Sequence, residues 1–262
     1  MKTLLIDRDY AGCQTIGSRN QQQDAYALSL VKTHPPSALA SILLVVADGI
    51  GGHAGGREAS ATVVQGFVES FLECGAAYAM QPARALGRSL KDANNALAVM
   101  INTDFEHLAD AGTTLLATVL NRESLHWISV GDSPLFLWRN KQLLRLNEDH
   151  SMRTLLARKV AAGQLRPADL ETHPQRNMLF SALNGVEPEK VDAPSTPFPL
   201  QSGDILLAAS DGILTLQESE ISEVLSTNPA QTALELAQNL LAQVASKKLP
   251  AQDNTTVTVV KI

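Results

Sequence analysis

The sequence predicts an α+β protein built as a four-layer αββα sandwich, with two central antiparallel sheets flanked by helix pairs. The apolar patterns follow one another as strands, two helices, many strands, two helices and a final strand. The helices come in pairs instead of one after each strand, which argues against parallel βαβ units. No linker-like or low-complexity stretch interrupts the 262 residues. We therefore expect a single domain over 1–262, which is long enough for a sizeable core.

The first half of the chain predicts three strands followed by two helices. Short apolar segments on either side of a polar turn indicate two strands, and an uncharged, β-branched run indicates a buried strand that ends at Asp48. Apolar residues then recur twice at helical spacing, and Pro82 suits the first turn of the second helix. The predicted elements are strands at 10–16, 25–31 and 42–47, a loop at 33–37, and helices at 56–74 and 82–102.

The second half predicts a meander of hairpins, a polar excursion and a second helix pair. Arg122-Glu123 and Asn140-Lys141 supply tight turns between short strands. From about 150 to 177 the pattern becomes polar, helical and mixed in charge, so we expect a flap-like surface excursion there. The predicted elements are strands at 113–120, 124–130, 135–139, 142–146, 205–210 and 254–262, and helices at 217–225 and 230–245.

Composition argues against several classes of function. The net charge of −6 and the lack of a basic stripe make a nucleic-acid surface unexpected. The apolar run at the N-terminus is too short for a signal peptide, and no run of ~18 apolar residues predicts membrane insertion. Cys13 and Cys74 have neither a metal-binding nor a redox spacing. We therefore expect a cytoplasmic protein.

Aspartates recur at the ends of the predicted strands. In two face-to-face sheets, acids at neighbouring strand ends can gather at one edge, where they would repel one another. A divalent cation relieves that repulsion, and all-oxygen ligands favour Mg²⁺ or Mn²⁺, two of which can polarise a bridging water for attack on a phosphate. Taken singly, each aspartate is better explained as a turn or cap residue than as a ligand, and only the joint pattern favours a metal site. The set is Asp24, Asp48, Asp132, Asp211 and Asp253.

Six short segments resemble, in order, the signatures of the metal-dependent protein phosphatases of type 2C, the PPM family. The resemblance extends from Arg19 to Val260, and the glycine-rich form of the first segment is similar to the bacterial branch. It implies an αββα sandwich that hydrolyses phosphoserine and phosphothreonine in proteins, where a water bridging two metals attacks phosphorus directly. The segments are Val46–His53, Gly112–Thr114, Val130–Ser133, Glu148–Ser151, Ala209–Ile213 and Asp253–Val257.

The resemblance also implies a set of ligands for Mn²⁺ or Mg²⁺. Asp48 would bridge two ions, and the Gly49 carbonyl would contribute to one of them. Asp211 and Asp253 would hold the other ion. Asp132 would form a third, looser site together with Asp211.

Two residues near the N-terminus complete the implied site. Asp24 would act through metal-bound water. Arg19 matches the arginine that grips the substrate phosphate, and a planar guanidinium suits phosphate oxygens; by itself it is equally a solvated turn residue. Gln22 stands where the family usually has Asn, which is a departure beside Asp24.

The general acid is left open by the sequence. Ile50 stands where eukaryotic members carry a histidine, and it cannot transfer a proton. His53 lies in the same stretch and could titrate near neutrality, although a structural role is the alternative. His150 is expected to be a local hydrogen-bonding residue.

We expect a metal-dependent serine/threonine protein phosphatase that acts in signalling on phosphorylated proteins, the substrates of a Ser/Thr kinase. One alternative is a catalytically silent phosphatase-fold protein that binds phosphoproteins or regulators, and only Gln22 favours it. Another is a hydrolase of small phosphate esters with the same centre. The chain has no Cys-x₅-Arg loop, which argues against a cysteine-based phosphatase.

Overall fold

The computed structural model describes residues 4–31, 41–50, 55–74, 81–228 and 230–262. The strands are β1 (Tyr10–Thr15), β2 (Asp24–Val31), β3 (Ser41–Ile50), β4 (Gly112–Thr113), β5 (Leu115–Leu120), β6 (Ser124–Val130), β7 (Leu135–Arg139), β8 (Gln142–Arg145), β9 (Phe198–Pro199), β10 (Ile205–Ala209) and β11 (Thr255–Lys261). The helices are α1 (Gly55–Glu73), α2 (Pro82–Thr103), α3 (Phe105–Leu108), α4 (Met152–Ala161), α5 (Pro167–Thr172), α6 (Glu218–Ser226) and α7 (Ala233–Ser246), with a 3₁₀ helix at Asp211–Thr215.

The strands form two antiparallel sheets. One has the order β1-β11-β10-β7-β8, and the other has the order β2-β3-β5-β6-β9, with β4 paired to the end of β3. Strands distant in sequence become neighbours, as β1 pairs with β11 and β10 pairs with β7. The predicted pair of antiparallel sheets is therefore confirmed.

The central strand β3 explains why one stretch of sequence is apolar without interruption. Leu43 and Val45 pack against the helices α1 and α2, whereas Leu44 and Val46 point into the core between the two sheets. Since successive strand residues face opposite sides, both faces of β3 are buried and neither tolerates a polar side chain.

The second helix pair covers the outer face of the other sheet. Ile221 of α6 and Leu240 of α7 join the core cluster that contains Leu207 of β10 and Val259 of β11. The layers are therefore α1 and α2, a sheet, a second sheet, and α6 with α7, as the sequence predicts. Among the helices in the described ranges, none has the length and apolar character needed to cross a bilayer.

Most element boundaries lie within a few residues of the predicted ones, and the differences are local. The strand expected over 113–120 is broken at Thr114, because its amide donates to the Asp48 carbonyl (2.9 Å) outside the regular ladder. The flap-like excursion forms α4 and α5. The sequence did not indicate α3, β9 or the 3₁₀ helix, and the loop expected at 33–37 lies outside the described residues.

Candidate metal centre

The two sheets bring aspartates together at one edge of the sandwich. Asp24, the first residue of β2, lies directly opposite Asp48 near the end of β3. Asp132 follows β6. Asp211 follows β10, and Asp253 precedes β11. The sequence argument expected this gathering, and the strand register places the acids accordingly.

Asp24 is buried in one sheet and held by hydroxyl groups of the other. Its Oδ2 accepts hydrogen bonds from Ser210 Oγ (2.7 Å) and Thr256 Oγ1 (2.8 Å). Its Oδ1 is buried and has no hydrogen-bond partner within the described part of the chain. Burial raises the pKa of Asp24 to about 6, although the two hydroxyl donors oppose that shift. One carboxylate oxygen is therefore available for a ligand.

The electrostatics of Asp48 place it at the middle of the acidic cluster. Burial raises its pKa well above the usual range, and the nearby charges of the other four aspartates raise that pKa further. Burial raises the pKa of Asp211 as well, and an interaction with the Asp48 carboxyl partly opposes that shift. Removing the charged form from water and surrounding it with like charges both disfavour ionisation.

Asp132 and Asp211 show the same perturbation at the other side of the cluster. Burial, followed by the charge of Asp211, raises the pKa of Asp132 to about 7. The pKa of Asp211 is raised by burial and then by the charge of Asp253. Asp149, whose carboxylate accepts from Arg145 (3.2 Å), adds its charge to both. A cation bound among these groups would stabilise their ionised forms.

Arg19 lies at the rim of the cluster, as expected from the sequence. Its Nη2 donates to Asp253 Oδ2 (2.6 Å), and this bond, with further contributions from the charges of Asp211 and Asp48, raises the pKa of Arg19. The loop that carries it is held by Asn254, whose Nδ2 donates to the carbonyl of Ile16 (2.8 Å). About half of the Arg19 side chain remains exposed, so the guanidinium faces both the acids and the solvent.

The glycine next to Asp48 is required by a close approach of two backbone segments. A Cβ on Gly49 would lie 2.1 Å from the carbonyl oxygen of Gly56, at the start of α1. The Gly49 amide donates to the Gln23 carbonyl (3.1 Å), which ties β3 to the residue before Asp24. The absence of a side chain on Gly49 therefore lets the start of α1 pack closely against the acidic edge.

Gln22 supports Asp24 in spite of its departure from the family pattern. Its Oε1 accepts a hydrogen bond from the Asp24 amide (3.3 Å), and its Nε2 donates to the Thr15 carbonyl (3.3 Å). The longer amide thus bridges β1 and the start of β2. The alternative of a silent protein loses the one observation that favoured it.

Several residues that position the acids were not singled out by the sequence argument. Thr114 Oγ1 accepts from the Asp48 amide (2.9 Å) and lies 2.7 Å from Ser133 Oγ, so two hydroxyl groups connect Asp48 with the residue after Asp132. The available signal was adjacency, because these residues flank motif aspartates or belong to motif segments. The residues missed in this way are Thr114, Ser133, Arg145, Asp149, Ser210, Asn254 and Thr256.

A cleft of about 470 Å³ opens onto the acids. The polar side of the cleft is formed by aspartates, and its opposite wall comes from the segment that follows the flap-like excursion. His53 lies outside the described residues, whereas the exposed Ile50 lines this cleft. The lining residues are Asp48, Ile50, Thr114, Asp132, Asn177, Met178, Leu179, Ala182 and Asp211.

The chemistry of the donor set fits a hard divalent cation. All the candidate donors are oxygens, and Asp24 Oδ1 has no partner in the described structure. Burial and the neighbouring carboxylates raise the pKa values of Asp24 and Asp132, so a bound cation would favour their ionised forms. Within the described ranges, no group of three or more His, Cys, Asp or Glu side chains is already arranged to hold an ion. Arg19 Nη2 occupies Asp253 Oδ2, one of the oxygens that such a group would present.

Comparison with known proteins agrees with this fold and site. The family model described as Protein phosphatase 2C matches residues 11–252. The serine/threonine phosphatase stp of Listeria monocytogenes is 31% identical over 221 residues, which cover 84% of each chain. The crystal structure of the Mycobacterium tuberculosis serine/threonine phosphatase PstP/Ppp is similar with a TM-score of 0.75 and 28% identity, covering 97% of each chain. The catalytic domain of PstP in complex with 2 manganese ions gives a TM-score of 0.72 and 25% identity over 96% of each chain.

The αββα sandwich and its acidic edge define a metal-dependent phosphoprotein phosphatase, a phosphoric monoester hydrolase. The chain belongs to the protein phosphatase 2C family. The expectations of fold, of family and of a metal-dependent serine/threonine protein phosphatase are confirmed at this level.

Proposed function

We propose that this chain hydrolyses phosphoserine and phosphothreonine in proteins at the acidic edge of the sandwich, with two Mn²⁺ or Mg²⁺ ions. One observation carries the proposal: buried aspartates from both sheets meet at this edge, where burial and then the charges of neighbouring carboxylates raise their pKa values. Bound divalent ions supply an activated water and polarise the phosphate for in-line displacement. We propose that the whole chain, 1–262, acts as one phosphatase domain.

Each residue of the site has a role that follows from its position. Asp48, which is central among the acids, is proposed to bridge the two ions with the Gly49 carbonyl beside it. Asp211 and Asp253 are proposed as ligands of the second ion. Asp24, with its unpartnered Oδ1, is proposed to orient water next to the ions.

Asp132 is proposed to hold a third, looser ion together with Asp211. The support is electrostatic: after burial, the charge of Asp211 is the next largest cause that raises the pKa of Asp132, so the two carboxylates lie close enough to interact. Arg145 partly compensates by lowering that pKa. A position with a partial countercharge is expected to bind a cation more weakly than the Asp48 position does.

The identity of the leaving-group acid is proposed to be either His53 or a water molecule. Ile50 faces the cleft but has no proton to give. A phosphoserine or phosphothreonine alkoxide requires a proton as it leaves, and general acids near neutral pKa supply it best. A His53→Gln variant that keeps full activity would assign the role to water.

Metal removal is the direct test of the proposed function. We expect a phosphothreonine peptide to be hydrolysed only with Mn²⁺ or Mg²⁺, and an excess of EDTA to abolish the reaction, because the acids cannot polarise a phosphate without cations. The measurement is phosphate release against added metal, with p-nitrophenyl phosphate as a second substrate. Full activity in chelator would refute the two-metal proposal. Turnover of p-nitrophenyl phosphate but of no phosphopeptide would favour a hydrolase of small esters.

Arg19 is expected to bind the substrate phosphate. Arg19→Ala should raise KM for the phosphopeptide by about 10-fold or more, because a hydrogen bond between charged groups contributes roughly 1.5–3 kcal/mol. Mn²⁺ affinity, measured by calorimetry, should change much less. Arg19→Lys is the matched control, since it keeps the charge but lacks the planar guanidinium. Its KM should lie between those of the wild type and Arg19→Ala.

An unchanged KM in Arg19→Ala would remove this residue from the substrate site. Its present partner, Asp253 Oδ2, is an oxygen that the proposal assigns to a metal ion. A metal ion held by Asp253 would compete with Arg19 for that oxygen, and the guanidinium would then be available to bind a substrate phosphate.

We further propose that the substrates are phosphorylated proteins of a Ser/Thr kinase pathway and that the protein acts in the cytoplasm of a bacterium. The relatives named as serine/threonine phosphatases support the substrate class. Cys13 and Cys74 are free thiols, which suits a reducing compartment. Comparing the phosphoproteome with and without the protein would identify the substrates.

A further inference from the structure

His150 is fully buried and joins the turn before Asp132 to the wall of the cleft. Its Nδ1 accepts a hydrogen bond from the Gly131 amide (3.2 Å), and its own amide donates to the Gly131 carbonyl (3.1 Å). On the other side, its carbonyl accepts from the Phe180 amide (2.9 Å), and the two rings lie 5.7 Å apart. One residue therefore contacts both the acidic edge and the opposite wall.

The hydrogen bond from Gly131 defines the tautomer of the imidazole. An Nδ1 that accepts a hydrogen bond has no proton, so a neutral His150 carries its proton on Nε2. Within the described part of the chain, Nε2 is buried and has no hydrogen-bond partner. Burial lowers the pKa of His150, which agrees with the neutral form. A buried donor without a partner is unfavourable, so this imidazole is poorly explained as a simple stabiliser of the core.

The turn that His150 holds is one that needs an external restraint. Gly131 has φ +101°, and a Cβ there would lie 2.6 Å from Thr114 Cγ2, so only glycine fits. Glycine has more conformational freedom than any other residue, and nothing in its own side chain restricts the turn. The restraints come instead from His150 and from Arg145, whose Nη2 donates to the Asp132 carbonyl (2.7 Å).

The contacts of His150 continue directly into the cleft wall. The next residue, Ser151, forms an isolated antiparallel bridge with Leu179. The Met152 amide donates to the Met178 carbonyl (2.8 Å). Met178 and Leu179 line the cleft opposite Asp132 and Asp211. The two sides of the cleft are thus connected through His150 and the two residues that follow it.

We propose that His150 is a positioning residue: through Nδ1 it fixes the Gly131–Asp132 turn and connects that turn to the cleft wall at 177–182. It neither touches the substrate nor exchanges a proton in this role. The consequence for activity rests on the proposed function, since Asp132 matters only if the acids hold ions. The consequence for the turn itself does not rest on it.

Three substitutions distinguish the role of the Nδ1 acceptor of His150 from the role of the rest of its ring. His150→Asn places its amide oxygen near the position of Nδ1, His150→Gln reaches toward Nε2, and His150→Phe keeps the ring volume without an acceptor. We expect Asn to retain most of the phosphopeptidase activity and Gln and Phe to lose about 10-fold or more, the usual effect of losing a group that orients a ligand. His126→Gln is the control, since it removes a half-buried histidine from the far end of β6.

The readout that does not depend on activity is nuclear magnetic resonance of the metal-free protein. The ¹⁵N shifts of the wild-type ring should show Nδ1 as the unprotonated nitrogen. Exchange of the Gly131 amide should be about 10-fold faster or more in the Gln and Phe variants and close to wild type in Asn, because local opening governs exchange. Calorimetry with Mn²⁺ should show weaker binding in the same two variants.

The proposal is overturned if the ring is protonated on Nδ1, or if Gly131 exchange is unchanged in His150→Gln and His150→Phe. If the Phe variant does not fold, the Gln variant and the wild-type tautomer still decide the question. If the wild-type protein releases no phosphate from any substrate, the proposed function fails. The Gly131 exchange rates then continue to test the role of His150 in the turn.

Discussion

Replacing Asp48 by Asn is expected to lower kcat/KM for a phosphothreonine peptide by about 1,000-fold or more. The amide keeps the size of the side chain but removes the charge at the centre of the acidic cluster. Stabilisation of transition-state charge by metal ions amounts to several kcal/mol, and each 1.36 kcal/mol is about tenfold in rate. The measurements are kcat/KM at saturating Mn²⁺ and calorimetric titration of Mn²⁺, which should show lost or strongly weakened binding.

Two further variants make this experiment specific. Asp211→Asn should behave as Asp48→Asn does, because both carboxyl groups are buried in the same acidic cluster and are assigned to the same centre. Asp110→Asn serves as the control, since Asp110 is exposed and lies in the turn before β4. If Asp48→Asn kept near wild-type activity with Mn²⁺, Asp48 would not be a metal ligand, and the central assignment of the site would be wrong.

The metal-free protein is expected to lose stability as the pH rises from about 5 to 7.5. The folded-state pKa values of Asp24 and Asp132 are raised to about 6 and about 7, above the ordinary value of 3.8. Between those values the folded state binds more protons than the unfolded state, so the free energy of unfolding falls with rising pH. For Asp24 alone, a shift from 3.8 to about 6 corresponds to roughly 3 kcal/mol in all, of which roughly half is lost above pH 5.

Removing one of these charges should therefore stabilise the metal-free fold. We expect Asp132→Asn to raise the melting temperature at pH 7.5 by several degrees, since about 1 kcal/mol corresponds to roughly 2–4 °C in a chain of this size. The same variant should flatten the dependence on pH, and Asp110→Asn should change neither quantity. The measurement is thermal unfolding in EDTA across the pH range. A wild-type melting temperature that rises between pH 5 and 7.5 would contradict the prediction.

Added Mn²⁺ should reverse this dependence on pH. Cations bind the ionised carboxylates, so their stabilising effect grows as protons leave the cluster. A site that gathers like charges in order to bind cations is expected to destabilise the folded protein when the cations are absent. The two predictions thus test the same acidic cluster in two ways. Asp48→Asn should lose activity, and Asp132→Asn should gain stability without metal.

The sequence predicted the layers of the fold well because buried elements have recognisable patterns of apolar residues. The run 42–47 within β3 contains no polar residue, since alternate side chains such as Leu43 and Leu44 face two different cores. The paired helical patterns likewise predicted which layers lie outside. The short β9 and the 3₁₀ helix at Asp211–Thr215 have no such record, because they are fixed by contacts with other elements.

The candidate site was predicted as a set of acids but not as a network. Each aspartate follows or precedes a strand, and that position is visible in the sequence. The donors that hold Asp24 come from Ser210 and Thr256, which lie on the other sheet and far along the chain. Short hydroxyl side chains are common in strands and turns, so their place in the motif segments did not by itself reveal that these two hold Asp24. Only the pairing of β10 with β11 explains why they converge.

The attachment of Asp24 has a mechanical consequence for the sandwich. Its backbone belongs to β2 in one sheet, while its carboxylate is fastened to Ser210 and Thr256 in the other. Dispersion contacts in the apolar layer between the sheets are individually weak and non-directional, whereas the two hydrogen bonds to Asp24, at 2.7 and 2.8 Å, require a specific geometry. Asp24 therefore fixes the position of one sheet relative to the other at the acidic edge. A shift between the sheets would change the distances among the aspartates before it changed the apolar layer.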